Sequence, residues 1–301
     1  MKSLASINGQ ITTLEEAFVP AKDRGFLFGD NIFETLVAFS GKILNVPKHL
    51  QRLRTSAENM GIHIPWSDEQ LAFELETLAE STKNKKSFLR LVVTRGEGFG
   101  LSVSEELTPN KYIFCGPANK DPETILKNGL RLKIRQSTST DRGPSAKTGN
   151  YLSSIVAIQK AKNFGFDDIL WVNRDDEITE ASTANIFFIG RFGDEVEIVT
   201  PSLYSGLLKG ITRDTVMSLL EKARIRVEER VVYAEEIAKF DEAFVCSTVR
   251  GLVPIRQINS HMLHTSREKS IFNHIKSLYL TWAEVELGYR VDWNSGDKVG
   301  S

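Results

Sequence analysis

The sequence predicts a mixed chain of helices and strands arranged in two domains, and three observations carry that expectation. Its 301 residues exceed the roughly 150 of a usual single domain. The spacing of apolar residues switches repeatedly between strand-like alternation and the three-and-four repeat of a helix. Two prolines and a glycine interrupt the pattern at Gly116-Pro117-Ala118-Asn119-Lys120-Asp121-Pro122, which reads as a linker. The expected division is a smaller N-terminal α/β domain over 1–116, a linker over 117–123 and a larger C-terminal domain over 124–301.

Composition narrows the class of partner. Hydrophobic content of 41% and charged content of 26% are those of an ordinary globular protein, and a net charge of -1 offers no footprint for nucleic acid or an anionic membrane. The expected partner is a small molecule. Two cysteines, Cys115 and Cys246, are too few for a disulfide framework and suit a reducing compartment. The first ten residues carry no apolar signal core, and no apolar run approaches the roughly 20 residues of a membrane helix. A cytoplasmic protein is expected, and the chain shows no repeat period.

Taken in order, Asn8-Gly9 between apolar residues predicts a hairpin, and a second is expected across Ser40-Gly41. Pro47 suits a helix start, with Leu50, Leu53, Ala57 and Met60 as its apolar stripe and Gly61 as its stop. Arg52 lies off that stripe, where a solvated arginine is the ordinary reading. A helix over 68–82 and a strand over 88–94 follow. The turn Arg95-Gly96-Glu97-Gly98-Phe99-Gly100 lacks the helix that a dinucleotide fingerprint requires and is read as a mobile loop near a substrate. Strands are expected over 112–115, 130–136, 225–231 and 243–246, and a polar stretch over 137–145. Thr212 is the expected N-cap of a helix reaching Ala223, with Asp214 in its first turn. From Lys269 to Leu287, the residues Ile271, Ile275, Leu278, Trp282 and Val285 predict an amphipathic helix. His261 and His264 have no neighbouring acid or cysteine to complete a metal site, so no metal is expected. The polar end, 292–301, is expected to fray.

The chemistry concentrates in two stretches. Lys147 precedes Gly149-Asn150-Tyr151 and a helix marked by Leu152, Ile155 and Val156, so its amine would project from a strand-to-helix junction. Some thirty residues on, Glu180 stands before the small polar turn of Ala181-Ser182-Thr183-Ala184 and the apolar strand from Asn185. A lysine to bind an aldehyde and an acid to keep a pyridine nitrogen protonated are what a pyridoxal 5′-phosphate enzyme needs. Spacing alone leaves Lys147 readable as a solvated surface lysine.

Lys147-Thr148-Gly149-Asn150-Tyr151-Leu152 followed by Glu180-Ala181-Ser182-Thr183-Ala184-Asn185-Ile186-Phe187 resembles the signature of the class IV pyridoxal-phosphate aminotransferases. Further matching blocks include Asp23-Arg24-Gly25-Phe26, His49-Leu50-Gln51-Arg52 and Gly210-Ile211-Thr212-Arg213. Together they cover most of the chain, from about Asp23 to Ile255. The family includes branched-chain and D-amino-acid aminotransferases and aminodeoxychorismate lyase. It commonly has a glycine at the Asn31 position, a mild departure because asparagine tolerates positive φ.

The resemblance implies the fold of the type IV enzymes, with a β-barrel-like core in the larger domain, and a homodimer. It implies an enzyme with pyridoxal 5′-phosphate as cofactor and with Lys147, Glu180 and Tyr151 as catalytic residues. Arg52, Thr183, Ile211, Thr212, Ser247 and Thr248 would join them in binding the cofactor. Phe33, Arg95, Val249 and Arg250 are pocket candidates. The implied reaction is amino transfer between an amino acid and a 2-oxo acid, of branched-chain or D-amino-acid type. The alternative is 4-amino-4-deoxychorismate lysis with release of pyruvate, and a cofactor-free scaffold is a further one. Branched-chain enzymes usually read Phe-Glu-Gly where this chain has Phe33-Glu34-Thr35. D-amino-acid enzymes usually have a tyrosine at the Phe33 position and an arginine and histidine pair after the Arg95-Gly96 turn, a pair this chain lacks.

Overall fold

The computed structural model describes residues 2–103, 107–137, 146–192, 195–265 and 269–298. All of the polar stretch 137–145 except Ser137 therefore lies outside the described residues, as do the last three positions of the C-terminal end. The chain divides into two compact units. The first comprises Met1–Asn119, Ala146–Asn150 and Glu284–Ser301, and the second Lys120–Ser145 and Tyr151–Ala283. The first change of unit falls between Asn119 and Lys120. Two later segments return to the first unit, a feature invisible to a reading that looks for one break in composition.

In the first unit, strands β1 (Leu4–Ile7), β2 (Gln10–Thr13), β3 (Asn31–Phe39), β4 (Lys42–Ile43), β5 (Lys86–Thr94) and β6 (Asn110–Pro117) form one antiparallel sheet in the order β2-β1-β6-β5-β3-β4. Both expected hairpins are present, because Asn8 (φ 49°) with Gly9 (φ 95°) and Ser40 (φ 47°) with Gly41 (φ 90°) supply the paired positive φ of a tight turn. Helix α1 (Arg24–Phe28) is a single turn capped by Asp23. Helices α2 (Val46–Met60) and α3 (Asp68–Thr82) cover one sheet face. Leu50 and Leu53 of α2 and Leu71, Leu75 and Leu78 of α3 pack there with Ile32, Leu36, Leu89, Leu91 and Val93. A reciprocal capping box between Ser67 and Gln70 starts α3 where the sequence placed it.

The second unit opens with α4 (Glu123–Asn128) and continues through β7 (Leu130–Gln136), α5 (Leu152–Asn163), β8 (Asp168–Val172), β9 (Ile178–Ala181), β10 (Asn185–Phe192) and β11 (Glu195–Pro201). It ends with α6 (Ile211–Lys222), β12 (Val227–Arg230), β13 (Glu242–Ser247), β14 (Gly251–Ile258), β15 (His261–Met262) and α7 (Ile271–Leu287), whose last residues belong to the first unit. The strands form a sheet of order β12-β11-β10-β13-β14-β7-β8-β9, with β15 on β14. The outer edge of β9 meets the segment just after β12: Ile178 N–H donates to Val232 O at 2.7 Å, and Glu177 bridges Tyr233. The sheet therefore curls on itself around Leu132, Leu170, Ile186, Phe188, Val245 and Val253, which is the expected barrel-like core.

Several expectations are corrected. The stripe Leu152, Ile155 and Val156 on α5 faces outward, Leu152 being 73% exposed, while Ala157 and Ala161 are buried. On α7 the buried row is Phe272, Ile275, Tyr279, Ala283 and Leu287, and Val285 is 75% exposed. Gly210, not Thr212, caps α6. Asn31 begins β3 and is not among the residues of positive φ. The C-terminal segment up to Lys298 is packed, with Trp293 6% exposed against Phe39. No helix is long and apolar enough to cross a membrane, and no metal-ligand cluster occurs, among the described residues.

Candidate active site

In the first unit, Lys147 is held by its backbone. Only the last two residues of β3, Ala38 and Phe39, are paired with β4, so its opening residues leave an edge to which 147–149 adds. Phe33 N–H donates to Lys147 O at 3.0 Å, Ile32 bridges Thr148, and Gly149 N–H reaches Asn31 O at 3.4 Å. From the other side, Lys147 N–H donates to Ser56 Oγ of α2 at 3.2 Å. A Cβ at Gly149 would meet Asn31 Oδ1 at 2.5 Å, so any larger residue there would displace the asparagine side chain. The ammonium of Lys147 stands 4.4 Å from the centroid of the Phe33 ring, and the Arg90 guanidinium carbon 3.6 Å from the same centroid. One aromatic ring thus gathers two cations.

Behind Phe33, the alternation of β3 points Glu34 into the same layer as Ile32 and Leu36. It is fully buried. Arg52 Nε–H donates to Glu34 Oε1 and Arg52 Nη2–H to Glu34 Oε2, both at 2.7 Å, while His49 Nδ1 lies 2.7 Å from Oε2. Burial pushes the Glu34 carboxyl up, but Arg52 and the His49 bond outweigh it and bring its pKa down to about 2. Burial also lowers the pKa of His49, against the pull of Glu34 and with help from Arg52 and Lys147. A neutral ring beside an ionised carboxylate carries its proton on Nδ1. His49, Arg52 and Ser56 share one face of α2, at helical spacings of three and four.

In the second unit, Glu180 lies near the end of β9, and Ala181 N–H to Ala184 O (2.8 Å) closes the small turn after it. Asn185, opening β10, donates from Nδ2 to Glu180 Oε2 at 3.1 Å and to Leu208 O at 2.9 Å. An added Cβ at Gly210 would sit 1.8 Å from Asn185 Oδ1. Gly210 therefore lets the start of α6 approach the asparagine that holds Glu180. The amides of Ile211 and Thr212 stand in the first turn of α6, where they have no intrahelical acceptor. Thr212 bonds to the buried Tyr279 of α7. Arg213, also buried, ties α6 to Thr200 Oγ1 (3.2 Å), Pro201 O (3.0 Å) and Glu229 (3.0 Å). Asn185 pairs with Cys246 across the sheet, so the turn Ser247-Thr248-Val249-Arg250 lies at the same end.

The amino-transferase class IV model matches residues 31–258. The chain belongs to that family. A putative branched-chain-amino-acid aminotransferase of Methanocaldococcus jannaschii is 29% identical over 277 residues, covering 91% of this chain and 94% of that one. A D-alanine aminotransferase of Bacillus licheniformis is 28% identical over 261 residues, covering 85% and 88%. The crystal structure of the Escherichia coli branched-chain amino acid aminotransferase superposes with a TM-score of 0.85 at 21% identity, covering 94% of each chain. This class IV aminotransferase is accordingly an enzyme that moves an amino group between an amino acid and a 2-oxo acid with pyridoxal 5′-phosphate as cofactor.

Within this aminotransferase, Lys147, Arg52 and Phe33 come together in the first unit, and Glu180, Thr183, Ile211, Thr212, Ser247, Thr248 and Val249 at one end of the sheet in the second. Tyr151 begins α5. Two candidates have structural partners. Arg95 clamps Asp30 (2.9 Å) and donates to the Met60 and Gly61 carbonyls, anchoring the end of α2. Arg250 grips Asp121 at 2.9 and 3.0 Å. The 95–100 turn is tied to Arg24, which donates to Gly100 O at 2.7 Å. Sequence reading missed Glu34, His49, Arg90, Asn185 and Tyr279. Glu34 had a signal, a carboxylate in the apolar row of a strand, and the others had none.

Proposed function

We propose that this class IV aminotransferase takes an apolar, branched-chain-type amino acid as donor, working in the cytoplasm as a homodimer. The observation that carries the donor class is Phe33, an aromatic ring without a hydroxyl beneath the Lys147 ammonium. Two buried free thiols suit a reducing compartment. The outward apolar stripe of α5 suits a subunit contact with a second copy, and light scattering tests it.

The residues present fit the cofactor. In the second unit the first-turn amides of α6, and in the first unit the Arg52 guanidinium, are donors of the kind that hold a phosphate. When bound, the cofactor supplies the electron sink. Lys147 Nζ would be the amine that holds the cofactor at its aldehyde carbon, and the same amine would serve as the proton carrier at substrate Cα. Glu180, held in place by Asn185, would keep a proton on the ring nitrogen. Tyr151 would stand by the phenolic oxygen. Arg52, Thr183, Ile211, Thr212, Ser247 and Thr248 would hold the phosphate, and the Val249 amide would receive the substrate carboxylate.

A panel of L- and D-amino donors, scored by loss of the bound-cofactor absorption band and by appearance of the 2-oxo acid, tests the substrate reading. Turnover of L-leucine-like donors supports it. Selective turnover of D-donors, or pyruvate release from an aminochorismate without an amino acceptor, overturns it.

A further inference from the structure

We infer that Glu34 and His49 are positioning residues for the cofactor phosphate, fixing Arg52 in the orientation from which it binds. The inference rests on the reading of Arg52 as a phosphate ligand and extends it to two residues that touch no ligand themselves.

Glu34 is fully buried in an apolar layer, and its register partner on β5 is Leu91. A carboxylate there is costly unless paired. Its pairing uses one edge of the guanidinium, Nε and Nη2, each at 2.7 Å. Two parallel bonds to a rigid carboxylate define the plane and rotation of the guanidinium, which a single bond would not do. Arg52 itself retains 13% side-chain exposure, whereas the Glu34 side chain has none. A long side chain carries about 2 kcal/mol of rotamer entropy, and an arginine already held gives up less of it when an anion arrives.

His49 completes the device from α2. Its Nδ1–H donates to the same Oε2 that accepts from Arg52, so the carboxylate is held from two directions. Its Nε2 is buried with no hydrogen-bond partner among the described residues. Such an orphaned acceptor is expensive. Its presence argues that the imidazole is kept for its Nδ1 bond, since an apolar residue would fill the same space at lower cost.

Two explanations of Glu34 predict opposite signs. Were the carboxylate present only to offset the Arg52 charge, removing its charge would leave a more positive site that binds phosphate more tightly. If it positions Arg52, removing its charge weakens phosphate binding although the site becomes more positive.

The test compares pyridoxal 5′-phosphate with pyridoxal, which lacks the phosphate, as ligands of the full chain stripped of cofactor, by quenching of tryptophan fluorescence. The ratio of the two dissociation constants isolates the phosphate contribution. In Glu34→Gln and in His49→Phe the ratio should fall about tenfold, with pyridoxal affinity unchanged within about twofold, the range of ordinary context effects. Glu34→Asp keeps the charge but shortens the reach, and should lower the ratio too. This variant decides the matter should Glu34→Gln fail to fold. An unchanged or raised ratio in a folded Glu34 variant overturns the inference. Arg52→Ala is the control: if it leaves the ratio unchanged, the phosphate reading of Arg52 itself fails. If it lowers the ratio while the Glu34 and His49 variants do not, only the positioning role fails.

Discussion

At Glu34 a carboxylate stands where the alternation of β3 calls for an apolar side chain, and it stays ionised because Arg52 and His49 reach it. Its folded pKa, about 2, lies below the ordinary 4.5, so ionisation stabilises the fold. That contribution, about 3 kcal/mol, is fully present above the unfolded value and is lost as pH falls from 4.5 toward about 2. Urea unfolding of the wild type and Glu34→Gln across this window should show their stability gap narrowing with acid. A constant gap would remove Glu34 as its source. At Lys147 the expectation concerns chemistry rather than stability. Lys147→Ala should lose the visible band of the bound cofactor and at least about 10²-fold in turnover, the share of a positioned proton carrier, while far-UV circular dichroism is unchanged. Glu180→Gln keeps the Asn185 bond and should retain cofactor while slowing the half-reaction. A half-reaction at the wild-type rate would take Glu180 out of this role.

Elements were legible in the sequence where their cause is local. The Asn8-Gly9 and Ser40-Gly41 turns need only positive φ at named positions, and α3 needs only its Ser67 and Gln70 cap. The signature around Lys147 and Glu180 is also local, each residue lying within a few positions of the turn that presents it. Which face is covered on α5 and α7 was not legible, because a three-and-four repeat marks an apolar face without saying what covers it. On α7 the true row is displaced by one residue at Phe272, and on α5 the apolar stripe is the exposed one. The contacts of Arg52 with Glu34, and of Gly210 with Asn185, join separate elements, so no periodicity could reveal them. Gly210 shows the consequence at the level of α6. Its φ of -80° suits any residue, yet a Cβ would strike Asn185 Oδ1 at 1.8 Å. Gly210→Ala should therefore push the start of α6 away from Asn185 and loosen Glu180, costing about 1–3 kcal/mol of stability and weakening cofactor binding. The double variant Gly210→Ala with Asn185→Ala, which vacates the space, should recover part of the stability without restoring the half-reaction. Full recovery of both would show that Asn185 does not serve Glu180.

At the scale of the whole chain, the first unit is completed by residues that lie last in sequence. The segment Glu284–Ser301 belongs to it. Trp293 packs on Phe39 with ring centroids 5.0 Å apart, and Lys86, buried between strands, reaches over both rings and donates to Trp293 O at 2.6 Å. Tyr289 donates to Phe39 O at 2.6 Å and Lys42 to Leu287 O at 3.0 Å. A polar, frayed end and a packed strap differ in the magnitude expected of one substitution. For a frayed end, Trp293→Ala changes stability by no more than about 0.5 kcal/mol, the usual effect at an exposed site. For a strap it removes a buried indole and uncovers Phe39 and Lys86, costing about 3–5 kcal/mol. The substitution also takes from the Lys86 ammonium one of its two rings, while the main-chain carbonyl of residue 293 remains as its acceptor, and the lost ring contact adds to the cost. Urea denaturation of Trp293→Ala, followed by far-UV circular dichroism to avoid the lost fluorophore, separates the two. A midpoint within error of the wild type would show that the first unit folds without its returning segment.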